Sequence, residues 1–336
     1  MRACKLHHTT SGRASFRSHR PLAVRTLSSA VTTPNNGKVC IITGANTGLG
    51  KEAALVLSQK GFTVVGACRN AERGQQAARD LATAGGAMEV MELDLASLAS
   101  VRSFAAAFLQ RYSRCDVLLN NAGVMAPPER ETTADGFELQ LGVNHLGHFL
   151  LTDLLLPSVL AAPHGRIINV ASSAHLFGKL DFSNLQSEGF FGYGARGWQA
   201  YGQSKLANIV FTYELHRRLR RAGITRVDTN AVHPGVVDTD LPRNLGMVNF
   251  WPILRQIGGV LTPQQGAKGH IMLASDPALE GVSGQYFAAT SDGRHEMTRS
   301  NAASYDADAA ERLWRVSQQL TGATYSALAT AAVPAR

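Results

Sequence analysis

The sequence predicts an α/β fold, a single Rossmann-type doubly wound parallel sheet of about seven strands flanked by helices. Three observations lead there. From residue 38 onward, short apolar runs alternate with helical segments of about 10–15 residues, the pattern of right-handed βαβ crossovers. The strand runs are apolar throughout rather than alternating, as expected when helices cover both faces. A glycine-rich turn joins the first strand to the first helix. Neither an internal repeat nor a second domain interrupts the series.

Taken in order, Val39 to Thr43 reads as the first strand. Leu49 to Lys60 reads as a helix whose apolar face holds Ala53, Ala54, Val56 and Leu57. Phe62 to Ala67 is the second strand and Ala71 to Ala84 a polar-faced helix. Met88 to Leu93 is the third strand, followed by a helix over Leu98 to Tyr112. Val117 to Asn120 is the fourth strand. A long helix covers roughly Phe137 to Leu160, and Arg166 to Val170 is the fifth strand. Tyr201 to Arg221 forms a helix, Val227 to Val232 the sixth strand, Pro263 to Ala274 a helix and Gly284 to Phe287 a last short strand. Two stretches break the rhythm, Leu176 to Gln199 and Leu241 to Leu261. Their aromatics, Trp198 and Trp251 among them, favour function over disorder. The fold is expected over 35–322, and the Ala/Thr-rich 323–336 as a flexible tail.

The turn reads Thr43-Gly44-Ala45-Asn46-Thr47-Gly48-Leu49-Gly50. Gly permits a tight turn and close backbone approach to a pyrophosphate. The helix that follows offers free N–H groups and the positive end of its dipole. The spacing departs from Gly-x-Gly-x-x-Gly, but its strand-to-helix setting is the one a dinucleotide loop requires. The second strand ends at Ala67-Cys68-Arg69-Asn70. An acid there would bond a ribose 2′-hydroxyl, whereas Arg69 can pair with a 2′-phosphate. NADP(H) is therefore expected over NAD(H).

Tyr201 and Lys205 stand four apart on a helix, hence on one face and about 5–6 Å apart at Cβ. An ammonium ~4 Å from a phenol, at an effective dielectric of ~20, contributes on the order of 4 kcal/mol. This predicts a Tyr201 pKa lowered toward neutrality, suited to giving a proton to a carbonyl oxygen or taking one from an alcohol. Ser172 follows the fifth strand, at the carboxyl end where open α/β sheets bind ligands. Its hydroxyl can hold a substrate oxygen beside Tyr201, with Ser173 as its competitor.

Gly44-x3-Gly48-x-Gly50, Asn120-Asn121-Ala122-Gly123, Ser172, Tyr201-x3-Lys205 and Pro234-Gly235 occur in the order of the short-chain dehydrogenase/reductase superfamily. The chain resembles that superfamily over about residues 38–320. The resemblance implies an NADP(H)-dependent oxidoreductase acting on a lipophilic carbonyl or alcohol, such as a retinal-like aldehyde, an isoprenoid or a lipid carbonyl. By the same resemblance Tyr201 is the proton donor and Lys205 its electrostatic partner and ribose ligand. Ser172, three residues after Asn169, orients the carbonyl, and Asn144 holds a relay water. Gly44, Asn46, Thr47, Gly48, Leu49 and Gly50 bind the cofactor phosphates, and Asp94 and Leu95 contact adenine. Asn121, Ala122 and Gly123 lie under the adenosine ribose, while Pro234, Gly235, Val237 and Thr239 form the nicotinamide-side loop. Asn144-His145-Leu146-Gly147-His148-Phe149 and His233-Pro234-Gly235-Val236-Val237 further resemble a subgroup. It holds retinol dehydrogenases, the WW-domain oxidoreductase and a chloroplast translocon-associated dehydrogenase. Two other readings stand beside it: an NADP-sensing regulatory subunit of a chloroplast-envelope complex, and a protochlorophyllide reductase-like enzyme. The second lacks its expected cysteine, since no Cys follows Cys115.

The formal net charge is +8, from 33 basic and 25 acidic residues. Six of the basic ones (Arg2, Lys5, Arg13, Arg17, Arg20 and Arg25) precede position 35, ahead of the first acid, Glu52. The remainder is nearly neutral, which argues against nucleic-acid binding. Residues 1–34, basic and rich in Ser, Thr and Ala, are expected to be a transit peptide. The expected compartment is the chloroplast, with the mitochondrion as alternative. No apolar run reaches the length of a membrane span, leaving only peripheral membrane contact open. His145 and His148 lack a further ligand at useful spacing, so no metal is expected. A homo-oligomer is compatible with the superfamily.

Overall fold

The apolar runs assemble into one sheet in the computed structural model of the chain, which describes residues 36–189, 193, 197–238 and 260–331. The strands are β1 (Val39–Thr43), β2 (Thr63–Cys68), β3 (Glu89–Glu92), β4 (Val117–Asn120), β5 (Gly165–Val170), β6 (Val227–His233), β7 (Tyr286–Ala289) and β8 (His295–Thr298). Their order is β3-β2-β1-β4-β5-β6-β7-β8. Neighbours are parallel from β3 to β7, and β8 runs antiparallel to β7. The winding reverses between β1 and β4, which opens a crevice at the carboxyl ends of these strands.

Helices α1 (Gly48–Gln59), α2 (Ala71–Thr83), α3 (Leu98–Arg111), α4 (Gly147–Leu160), α5 (Gly197–Arg221), α6 (Pro263–Ser275), α7 (Ala307–Thr321) and α8 (Ser326–Ala331) accompany the sheet. Ala53 and Leu57 of α1, Leu81 of α2 and Leu273 of α6 pack on one side against Ile42, Leu119 and Ile168. Phe104 of α3, Phe149 of α4 and Phe211 of α5 pack on the other against Ile41, Leu118 and Ile167. Consecutive strand residues thus enter opposite cores, which is why the runs are apolar throughout. Asn120 Nδ2 donates to Asn169 Oδ1 at 2.8 Å and to Thr152 Oγ1 at 3.1 Å. Asn169 Nδ2 donates to Thr212 Oγ1 at 2.9 Å. These buried bonds hold the ends of β4 and β5 between α4 and α5.

Three expectations change. Among the described residues the sheet has eight strands, one beyond the runs read, because β8 is a polar, exposed edge without an apolar run. The helix expected from Phe137 to Leu160 is broken into a turn at Leu139–Leu141, a π-turn at Gly142–Leu146 and α4. Close packing surrounds that break, since a Cβ on Gly147 would sit 2.7 Å from the Leu95 carbonyl oxygen. The tail from 323 is not loose over its described part. Helix α7 turns its Leu313 and Trp314 inward, and after Gly322 the chain brings Tyr325 against Phe149 and Trp314, with ring centroids 4.9 and 4.4 Å away. Tyr325 Oη donates to the Phe149 carbonyl at 2.8 Å. The described part of the tail is therefore packed on the core, through Ala323, Tyr325 and Leu328 and through Thr324 and Tyr325 N–H bonds to Asp153.

The substitution Tyr325→Ala is expected to destabilise the fold by about 3–5 kcal/mol, the usual cost of deleting a buried aromatic ring. Urea denaturation of the two proteins measures it, and a loss below about 1 kcal/mol contradicts the anchoring role.

Candidate active site

One cleft of about 1220 Å³ runs along the carboxyl ends of the central strands, from Arg69 and Arg73 past the glycine loop to Tyr201 and Val236. The loop needs its glycines. Gly44 has φ +68°, and a Cβ on Gly50 would lie 2.5 Å from the Gly44 carbonyl oxygen. Asn46, Thr47, Gly48 and Leu49 line the cleft at the start of α1, and no acidic residue occupies the first turn of that helix. An anion is favoured at such an end. Across the cleft Thr43 Oγ1 accepts the N–H groups of Asn121 and Ala122, each at 2.9 Å. Asn121 Nδ2 donates to the Thr43 carbonyl at 2.7 Å. The turn that carries Gly123 is thereby tied to β1.

Tyr201 and Lys205 come one helical turn apart on α5, both buried, with Lys205 Nζ 5.6 Å from the Tyr201 ring centroid. Ser172, just beyond β5, lines the cleft with Tyr201. Burial pushes Tyr201 up to about 12, with the Ser172 hydroxyl opposing the rise, and pushes Lys205 down to about 8. The expected depression of Tyr201 by Lys205 is therefore not what the fold imposes: desolvation raises the phenol instead. Lys205 Nζ instead donates to the Val170 carbonyl at 3.1 Å, a carbonyl shared with Asn208 Nδ2, also at 3.1 Å. The arrangement is a protonated phenol, a hydroxyl partner and a cation within one pocket end.

Asn144 sits in the π-turn, and its amide is fully engaged. Oδ1 accepts Val124 N–H at 2.8 Å, while Nδ2 donates to the Val124 carbonyl at 3.0 Å and to Ser204 Oγ at 2.9 Å. Both amide hydrogens go to protein, so the side chain braces the turn after β4 against α5 rather than presenting a donor to a relay water. Ser173 lines the cleft as well, and its backbone N–H donates to His233 Nδ1 at 3.2 Å.

Asp94, Leu95, Gly123, Pro234, Gly235 and Val237 all line the cleft as well. Thr239 lies outside the described residues. The structure adds Arg73, which stands one turn into α2 from Arg69, at a four-residue spacing visible in the sequence. It also adds Met125, Phe177, Trp198 and Val260 to the lining, with the Trp198 and Tyr201 ring centroids 6.1 Å apart. The donor set fits a dinucleotide: an acid-free helix start, two arginines at one end, and a Gly123 whose Cβ would lie 3.4 Å from Lys205 Nζ.

A family model described as short chain dehydrogenase matches residues 38–185. Human retinol dehydrogenase 11 is 43% identical over 308 residues, covering 90% of this chain and 92% of the relative. The chain belongs to the short-chain dehydrogenase/reductase family. Within it the chain is like the retinol dehydrogenases, and human retinol dehydrogenase 12 is 44% identical over 289 residues, with 85% and 87% covered. A solved protein from Mycobacterium paratuberculosis matches with TM-score 0.69 and 38% identity, over 86% of this chain and 94% of that one. A protein from Beutenbergia cavernae, described as an NAD(P)-dependent gluconate 5-dehydrogenase with bound NADP, matches with TM-score 0.60 and 28% identity. It covers 76% of this chain and 96% of that one. The dehydrogenase is thus an oxidoreductase that uses a nicotinamide cofactor. The chloroplast expectation is overturned. It rested on the composition of 1–34, and these relatives are human and mouse proteins, from organisms without plastids. No helix among the described residues is long and apolar enough to cross a membrane.

Burial sets the acid response of the fold. His145, His148 and His270 are nearly solvent-free, and desolvation, the main cause in each, pushes them down to about 3, 4 and 3. The unfolded chain binds protons on these rings below pH ~6.5 while the folded chain does not. Their contribution is therefore complete above pH ~6.5 and shrinks as pH falls toward about 4. Thermal unfolding at constant ionic strength should show Tm falling by at least about 5 °C between pH 7 and pH 5. An unchanged Tm over that range contradicts neutral burial of these rings.

Proposed function

We propose that this dehydrogenase transfers a hydride between NADP(H) and a lipophilic carbonyl or alcohol. The observation that carries the reading is the meeting of Tyr201, Ser172 and Lys205 in a cleft that Met125, Phe177, Trp198, Val236 and Val237 also line. A bound nicotinamide supplies or takes the hydride. The protein supplies the proton and the orientation. The Ser172 hydroxyl holds the substrate oxygen; the Tyr201 phenol gives its proton to that oxygen in reduction, and its phenolate receives one from the alcohol in oxidation. Lys205, charged at neutral pH, steadies the phenolate that proton transfer leaves.

The apolar wall favours a substrate with a long or ring-bearing hydrocarbon portion, since burying that portion contributes binding in proportion to area. Relatives named as retinol dehydrogenases support a retinal-like aldehyde as the first compound to test. Arg69 and Arg73 support a 2′-phosphate at the other end, because guanidinium groups pair with phosphate in charge-assisted bonds.

Two measurements check the reading. Tyr201→Phe is expected to lower kcat with a retinal-like aldehyde by about 10²–10⁴-fold, with little change in NADPH affinity; wild-type turnover sinks the assignment. Arg69→Ala and Arg73→Ala are each expected to raise the KM for NADPH about tenfold and to leave that for NADH almost unchanged. An equal effect on both cofactors removes the phosphate role.

A further inference from the structure

His148 is buried at the second position of α4 and is not among the residues lining the cleft. Its ring nonetheless touches both halves of the site. Nε2 lies 2.9 Å from Thr43 Oγ1 at the end of β1. Nδ1 lies 3.1 Å from the Asn144 carbonyl oxygen in the π-turn.

Counting donors assigns the ring proton. A hydroxyl oxygen accepts two hydrogen bonds and donates one. Thr43 Oγ1 already accepts the N–H groups of Asn121 and Ala122. Its own hydrogen has two acceptors in range, His148 Nε2 at 2.9 Å and the Leu119 carbonyl at 3.5 Å. The shorter contact takes it, so Nε2 accepts, and Nδ1 carries the hydrogen and donates to Asn144.

We infer that His148, as the neutral Nδ1–H tautomer, is a positioning residue that sets the distance between the cofactor half and the catalytic half of the cleft. From Thr43 its bonds reach the turn that bears Gly123. From Asn144 they reach Val124 and Ser204, the latter on the helix of Tyr201 and Lys205. The space between the halves is narrow: a Cβ at Gly123 would lie 3.1 Å from Asn144 Oδ1 and 3.4 Å from Lys205 Nζ. A shift of a few tenths of an ångström there alters the cradle. Desolvation keeps the ring neutral, and the nearby Lys205 charge acts in the same direction.

The inference rests on the dinucleotide reading of the cleft, but its first test does not. Ring ¹⁵N chemical shifts of wild-type His148 are expected to show the Nδ1–H tautomer from pH 5.5 to 8. The Nε2–H pattern overturns the assignment. The second test is NADPH affinity by calorimetry. His148→Gln keeps one planar acceptor and one donor, whereas His148→Leu keeps neither and removes the ring's bonds to Thr43 and Asn144. The Leu variant is expected to lose roughly tenfold or more in affinity and the Gln variant less than about threefold. Wild-type affinity in a folded Leu variant, or equal damage in both folded variants, overturns the positioning role. If the Leu variant does not fold, the tautomer and the Gln variant decide. Failure of the wild type to bind NADPH at all sinks the cofactor reading instead, and the tautomer still decides the ring assignment.

Discussion

One hydroxyl closes the crevice on which the rest of the site depends. Thr43 Oγ1 takes the two amides that follow β4, and the Thr43 carbonyl takes the Asn121 side chain. β1 and β4 are the strands between which the winding reverses, so the chain crosses to opposite sides of the sheet and leaves a gap there. Polar contacts across that gap set its width. Gly44, Gly50 and Gly123 all sit at its edge, where a single Cβ would meet backbone or catalytic side chains within about 3 Å. The glycines and the threonine are parts of one device.

A second constraint comes from depth. Helix α5 is buried along nearly its whole first half, so its polar groups answer to desolvation before they answer to each other. Tyr201 and Lys205 are both pushed toward their uncharged forms, as low-dielectric surroundings require. A protonated phenol is the form that can give a proton. The same burial acts on histidines outside the cleft, which are held neutral in the core and make the fold sensitive to acid. Site chemistry and acid stability share one physical origin.

Much of this was readable along the chain. β1 and β4 fall where their apolar runs end, and α2 starts after Asn70, whose side chain accepts Arg73 N–H at 2.8 Å. Where the sequence reading was incomplete, the signal was weak or mixed. β8 is a polar edge strand, and edge strands carry no apolar run to detect. The buried positions of α7, Ala310, Leu313, Trp314 and Ser317, do follow a helical period, so that helix could have been found. The aromatic anchor at Tyr325 could not, because an Ala/Thr-rich tail has no periodic face. Nor does any local pattern reveal that the helix before β5 passes through a π-turn.

Local periodicity and turn chemistry by themselves determined the order of the strands and helices from β1 to β7 apart from the break before α4, the glycine loop, and the phase of Tyr201 and Lys205 on one helix face. These features depend on residues within a few positions of each other, and the order of the motifs along the chain pointed to the family. Tertiary structure alone decided that Asn144 braces Val124 and Ser204, that Arg73 lines the same cleft as Arg69, and which nitrogen of His148 carries hydrogen. It also decided the direction in which Tyr201 titrates. Most of these join residues far apart in the chain, and each turns on geometry or depth of burial. A sequence states which groups are present, while only the packed fold states which of them water can no longer reach.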